Sequence, residues 1–254
     1  MSEMASQPYW VSHPYNRLSV KKYVEEFVGW TALKQLVNYA ESGRDRGFLS
    51  ALFESGGRVR EVLALEAENF SILPKENLII VRNMKLSKRY KKLEDHIDEL
   101  GHKHWITELI PSIRKPFPIL LGEPLAQILY DFLQGKHGLL FPSPYKAKLP
   151  LTRSWAYKLV RGLDSSLPVD LKKRLGLDRA FQDREGHKIS DSIHLWLHWF
   201  RSQRASQLVS DYGFELLDLI DYFSWESERT AIIYARKGWR GLSSKMLSVQ
   251  THYV

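Results

Sequence analysis

One short run, Asn77–Val81 (NLIIV), has the β-branched content and polar borders of a strand, while the other strongly patterned stretches repeat their apolar residues at helical spacing. That imbalance points to a mainly helical domain with a small antiparallel sheet, an α+β fold. Helical spacing starts at Ser19 with Val20, Tyr23, Val24, Phe27 and Val28, and again at Thr31, read as the N-cap of ALKQLVNYAES. RGFLSALFES follows and ends at Gly56–Gly57, and Glu61–Leu65 reads as a short helix. Trp105–Ile113 is the expected partner of the NLIIV strand, placing one small sheet near residues 77–113. Glu123–Leu133 is amphipathic, Thr152 caps a helix holding Trp155, Leu159 and Val160, and Val169–Leu175 carries a weak helical pattern. Ile193–Val209 and Leu216–Phe223 are strongly helical. Residues 1–16, with Pro8 and Pro14, read as an arm, and 141–152, with three prolines, as a loop.

Lysine and arginine total 37 against 29 acidic residues, a net charge of +8, which favours a polyanionic partner through counterion release. Cysteine is absent, so neither a disulfide framework nor a thiolate zinc site is available. The N-terminus lacks the apolar core of a signal peptide, and no run approaches the roughly 18 apolar residues of a membrane span. The chain therefore reads as soluble and intracellular.

Four separated segments hold residues that are ordinary singly and informative jointly. Arg58 lies in SGGRVREVLAL. His198 and Arg201 are three apart and share a helix face. Trp225 follows an apolar helix, and Tyr234 lies in TAIIYARKGW, thirty-three residues after Arg201. Singly, each has a bland reading: a loop arginine, a solvated helix surface, a core aromatic. In this order and spacing they resemble the boxes of the tyrosine recombinases, the phage-integrase family. Ser55-Gly56-Gly57-Arg58-Val59-Arg60-Glu61 followed by VLAL resembles that family's first arginine box. His198-Trp199-Phe200-Arg201 with Ala205-Ser206 resembles the second. Gly213, LLDLIDYF, Ser224-Trp225, Thr230 and Tyr234 continue the register. The resemblance covers roughly residues 30–240.

Departures accompany the match. Ser224 stands where the family has glycine, Trp225 takes a slot usually held by histidine, and Ser202-Gln203-Arg204 replaces the usual His-Ser-Phe after the second arginine. The division implied is an N-terminal arm and helix over 1–29, a catalytic domain over 30–240 with inserts near 88–113 and 161–192, and a tail over 241–254 that docks on a neighbouring protomer or on its own domain. Family members carry a helical core-binding domain ahead of the catalytic one. Only the residues before 30 occupy that place here, which implies a DNA clamp supplied by another chain or segment, or a minimal or truncated form.

The resemblance implies the recombinase catalytic-domain fold and a metal-free phosphoryl transfer without cofactor. Arg58 and Arg201 would bond the non-bridging oxygens in forked fashion, with His198 and Trp225 as further donors and Tyr234 as nucleophile, forming a 3′-phosphotyrosyl link. A hairpin lysine would protonate the leaving 5′-oxygen. Lys85, following NLIIV at the expected hairpin tip, is the first assignment, with Lys88, Lys103 and Lys115 as alternatives. Glu61 is expected to position or neutralise an arginine, and Tyr222 to lie in the core. His102-x-His104 and His194-xxx-His198 have metal-compatible spacings but no third ligand, so no metal is assigned. The partner implied is duplex DNA, acted on by a homotetramer in the cytoplasm, at the nucleoid or host-cell DNA, in the service of a virus or mobile element. A nick-and-rotate enzyme like the type IB topoisomerases is the alternative chemistry, and a catalytically silent DNA-binding domain the alternative class.

Overall fold

The central helix of the fold is the one that the Gly56–Gly57 stop delimits. In the computed structural model α2 runs Gly43–Ser55, and α1 before it runs Trp30–Asn38. Residues 27–86, 89–97, 103–110, 112–177, 181–182, 188–190, 195–225, 228 and 231–232 are described. Ser42 starts α2 by accepting the Asp45 N–H at 3.0 Å, and Asp45 complements the positive end of the helix. Phe48, Leu49, Leu52 and Phe53 of α2 are wholly buried, each worth about 1.5–3 kcal/mol against exposure. They fill the space between α4 (Pro124–Leu133) and α7 (Leu197–Asp211), both of which pack on α2.

Thr31 is not a cap. α1 begins at Trp30 from Gly29, whose φ of +89° favours glycine, so Thr31 falls inside the first turn. Phe27 and Val28 lie outside any helix but pack on the core, and the rest of the helix expected from Ser19 falls outside the described residues. The short helix α3 runs Val59–Leu63, two residues earlier than expected.

The NLIIV strand is present as β2 (Leu78–Val81), but its partner differs from expectation. β1 (Phe70–Leu73) and β5 (Phe117–Leu120) flank β2 in the antiparallel order β1-β2-β5, with Phe70 and Phe117 both opposite Val81. β2 buries Ile79 and Val81. Trp105–Ile110 instead belongs to β4 (Lys103–Ile110), which pairs with β3 (Arg89–Ile97) in a separate ribbon whose register shifts between Lys92 and Glu94. The physical reason is proximity along the chain: 103–110 meets 89–97 through a local connection, leaving the later segment 117–120 to close the sheet on β2. A third pair, β6 (Phe181–Gln182) with β7 (Lys188–Ser190), lies within the 161–192 stretch. The sheet content thus exceeds the one small sheet expected near 77–113.

Thr152 caps α5 (Arg153–Ser166) by accepting the Trp155 N–H at 3.3 Å. α6 spans Val169–Arg174. Leu163, Leu167, Leu171, Leu175 and Leu177 are buried, so the first part of the polar 161–192 stretch contributes to the core. α8 (Leu216–Phe223) follows α7, which starts at Leu197 rather than Ile193. Among the described residues no helix is long and apolar enough to cross a membrane.

Candidate active site

The loop after α2 is shaped by two glycines with no room for a side chain. Gly56 has φ +53°, and a Cβ there would lie 2.3 Å from the Phe223 ring. A Cβ on Gly57 would lie 2.3 Å from Met84 Cε and 2.9 Å from Val62. The loop therefore sits hard against the end of α8 on one side and against the segment that carries Lys85 on the other. Arg58 follows as the N-cap of α3. Glu61 accepts its N–H at 2.7 Å through one carboxylate oxygen and pairs with its guanidinium at 3.1 Å through the other. The Glu61 side chain is buried while that of Arg58 is 54% exposed, so the arginine is aimed by a rigid partner yet open to solvent. This matches the positioning part expected of Glu61.

Arg201 reaches the same loop from α7. It is buried, and its Nη1 donates to the Gly56 carbonyl. Its guanidinium lies 4.7 Å from the Phe223 ring centroid and 5.4 Å from that of Trp225. Those two rings stack at 4.5 Å, and contacts of this type are worth about 0.5–2 kcal/mol each. Ser224 between them adopts the left-handed conformation, φ 49°, and its Oγ accepts the Lys115 N–H at 3.1 Å. A turn of this hand is what a glycine at that position would relieve. His198 is on the first turn of α7 and lines a cavity of about 330 Å³ together with Arg58. His198 is exposed as a whole residue. The protein packed behind it, and then the charges of Arg201 and Arg58, push its imidazolium down to about 4. His198 is therefore neutral at physiological pH.

Arg58, His198, Arg201 and Trp225, spread over more than 160 positions, are thus brought to one place. Lys85 adjoins Met84, the residue that abuts Gly57. It does not occupy a hairpin tip. It is an exposed residue paired with Ile113, at the base from which the β3–β4 ribbon extends, and the Leu86 N–H to Ser112 O and Arg114 N–H to Met84 O bonds continue that base. Lys115 is in a surface ion pair with Asp221 at 2.6 Å. Lys103 is in β4. Lys88 and Tyr234, together with Thr230, His102, His194 and the tail over 241–254, lie outside the described residues. Ala231 is buried and Ile232 is 47% exposed.

Two buried arginines that the sequence did not single out brace this arrangement. Arg114 donates to the Ser55 carbonyl at 2.6 Å and to the Tyr222 carbonyl from Nε at 2.6 Å and from Nη2, and it stacks 3.6 Å from the Phe117 centroid. One guanidinium thus ties the chain before Gly56 to the chain before Phe223. Burial, with the charge of Arg201 adding to it, lowers Arg114 to about 9, still charged at neutral pH. Arg204 is one turn beyond Arg201. Its Nη1 donates to Glu123 at 2.7 Å and Gln207 at 3.0 Å, and its Nε and Nη2 donate to the Tyr222 hydroxyl at 3.3 and 3.1 Å. Tyr222 is buried as expected and donates to the Glu54 carbonyl at 2.8 Å. Glu54 Oε2 is 3.1 Å from the same Nη1, and the Glu54 side chain is fully buried. Burial therefore raises Glu54 well above the usual carboxylate range, against Arg204 and with the charge of Glu123. Burial alone would raise Glu123 too, but Arg204, Glu54 and Tyr212 hold it below that range. An arginine in the family's Phe slot was the only sequence signal for this cluster.

No protein-family model matches the chain, and no curated protein matches its sequence. Several solved structures align with most of the chain at low identity. A XerH site-specific recombinase bound to difH substrate is 14% identical at a TM-score of 0.49, over 85% of this chain and 51% of that one. A XerA recombinase is 17% identical at 0.49, over 89% of this chain and 64% of that one. The Tn1549 transposon integrase (Y379F) in complex with transposon right end DNA is 12% identical at 0.48, over 85% of this chain and 64% of that one. The chain thus spans about half to two thirds of the length of these proteins.

Proposed function

We propose that this chain is a DNA strand transferase of the tyrosine recombinase type, which cuts and rejoins duplex DNA through a 3′-phosphotyrosyl intermediate. The observation that carries the reading is the convergence of Arg58, His198, Arg201 and Trp225 around the Gly56–Gly57 loop. Two guanidiniums, one backed by Glu61 and one by the Gly56 carbonyl and two aromatic rings, offer preorganised donors to the non-bridging oxygens of a phosphodiester. Tyr234 Oη would attack phosphorus and pass its proton toward neutral His198. The P–O5′ bond would break, and the departing 5′-oxygen would take a proton from a lysine, first among them Lys85. The reverse sequence reseals the strand. Permanent charge on both arginines supplies the stabilisation that metal ions give in other phosphoryl-transfer enzymes. Exchange between two sites, as in site-specific integration by a virus or other mobile element, would need four protomers on DNA.

The test replaces Arg58 and Arg201 singly by lysine and measures binding and covalent trapping on the same duplexes. Trapping should fall about a hundred- to a thousandfold while affinity changes little, because lysine keeps the charge and loses the fork. Parallel losses of affinity and trapping would make both residues plain phosphate anchors.

A further inference from the structure

The cavity shared by Arg58 and His198 holds more positive charge than one scissile phosphate can balance. Its described lining includes Arg60 on α3 and Arg153 and Tyr157 on α5, and no carboxylate. A phosphodiester carries one negative charge. Three guanidiniums, less the single charge of Glu61 held against Arg58, leave a surplus of two. Like charges gathered on one cavity wall repel, and the cost is recovered when an anion enters.

Arg153 is placed against the ordinary preference of its helix. It occupies the first position of α5, a 14-residue helix, where the backbone dipole already presents positive charge and a basic side chain is unfavourable. It is also held in a defined position. Its Nη2 donates to the Tyr157 hydroxyl at 3.1 Å, one turn on, and its guanidinium lies 5.6 Å from that ring. As acceptor from Arg153, the Tyr157 hydroxyl keeps its own proton for another acceptor. Tyr157 is 49% exposed, so core packing does not account for it. Among the described residues neither Arg60 nor Arg153 makes an ion pair with a carboxylate.

We infer that Arg153 and Tyr157, with Arg60, form a second phosphate subsite beside the reacting one, which takes a neighbouring phosphodiester of the same DNA strand. This deepens the function proposed above and rests on it. Arg58 faces the phosphate to be cut, and the α5 pair fixes the strand's register against it. The contact reads backbone and not base, so it is indifferent to sequence.

The experiment is a salt series of duplex binding by fluorescence anisotropy, with two unrelated duplexes, on the full chain and on Arg153→Gln, Arg153→Lys, Arg60→Gln and Tyr157→Phe. Loss of one phosphate contact makes the slope of log K against log salt shallower by about 0.9, which is about an eightfold loss at 0.1 M salt. Arg153→Gln and Arg60→Gln should each show that change on both duplexes, and Arg153→Lys should keep the original slope. Tyr157→Phe should weaken binding with the slope intact, since it removes a hydrogen bond and no charge. If the unaltered chain binds duplex and Arg153→Gln leaves its slope unchanged, the subsite is wrong while the proposed function stands. If the unaltered chain does not bind duplex DNA, both fall together.

Discussion

Replacing Arg204 by methionine tests how the helix that bears Arg201 is held. The substitution keeps an unbranched chain of similar length and removes the cation that Glu123, Gln207 and Tyr222 all contact within 3.3 Å. Arg204 is 1% exposed and Glu123 3%, so the remaining carboxylate has little water to turn to. Breaking a buried ion pair from one side costs about 3–5 kcal/mol, because the surviving charge is left uncompensated. At neutral pH, urea denaturation of Arg204→Met should therefore show a loss of that size. The pH dependence gives the sharper check. In the parent protein Glu123 is depressed, so its contribution is present above the ordinary carboxylate pKa and is lost as pH falls through the folded value. Without Arg204 the largest of the interactions that depress it is gone, leaving burial opposed only by Glu54 and Tyr212, and Glu123 shifts toward its protonated form in the fold. The deficit of the variant should therefore narrow as pH drops toward 4. Adding Glu123→Gln to Arg204→Met should restore part of the loss at pH 7.5. A deficit that is small at neutral pH, or that stays constant between pH 7.5 and 4, would refute the assignment of Arg204 as the counter-ion of a buried carboxylate.

Two further outcomes concern the chemistry. The His198 imidazole, followed by NMR in the free protein, should titrate near 4, and added duplex should move it upward because a bound phosphate offsets Arg58 and Arg201; a midpoint near 6.5 that DNA does not move would separate His198 from the anion site. Lys85→Ala should cleave slowly on ordinary DNA and recover when the leaving group is a 5′-sulfur, which needs no proton; absence of recovery would transfer the part to Lys88, Lys103 or Lys115.

Local signals survived into the structure where a single residue decides the outcome. Gly56 ends α2 because only a residue tolerant of positive φ fits against Phe223, and Thr152 caps α5 through its own hydroxyl. The spacing singled out Arg58, His198, Arg201 and Trp225, and the fold brings these four side chains together around the Gly56–Gly57 loop. Strand pairing was not legible. Phe117–Leu120 contains a proline and shows no clean alternation, and nothing local tells β2 to prefer it to Trp105–Ile110. Arg114 and Arg204 were passed over because arginine is rarely buried, and the carbonyls and carboxylates that satisfy them come from distant parts of the chain. Arg153 carries no local signal of its own, since its significance depends on α5 packing against α3.

The most direct measurement of the central claim is the site of covalent attachment. The full chain would be incubated with a pool of nicked duplexes of randomised sequence, in which cleavage releases a short fragment and blocks resealing. Denatured adducts would be digested and sequenced by mass spectrometry. The account predicts a nucleotide linked through its 3′-phosphate to Tyr234, present with the parent chain and absent with Tyr234→Phe. An adduct that persists in Tyr234→Phe, or attachment to any other residue of the parent chain, would contradict it.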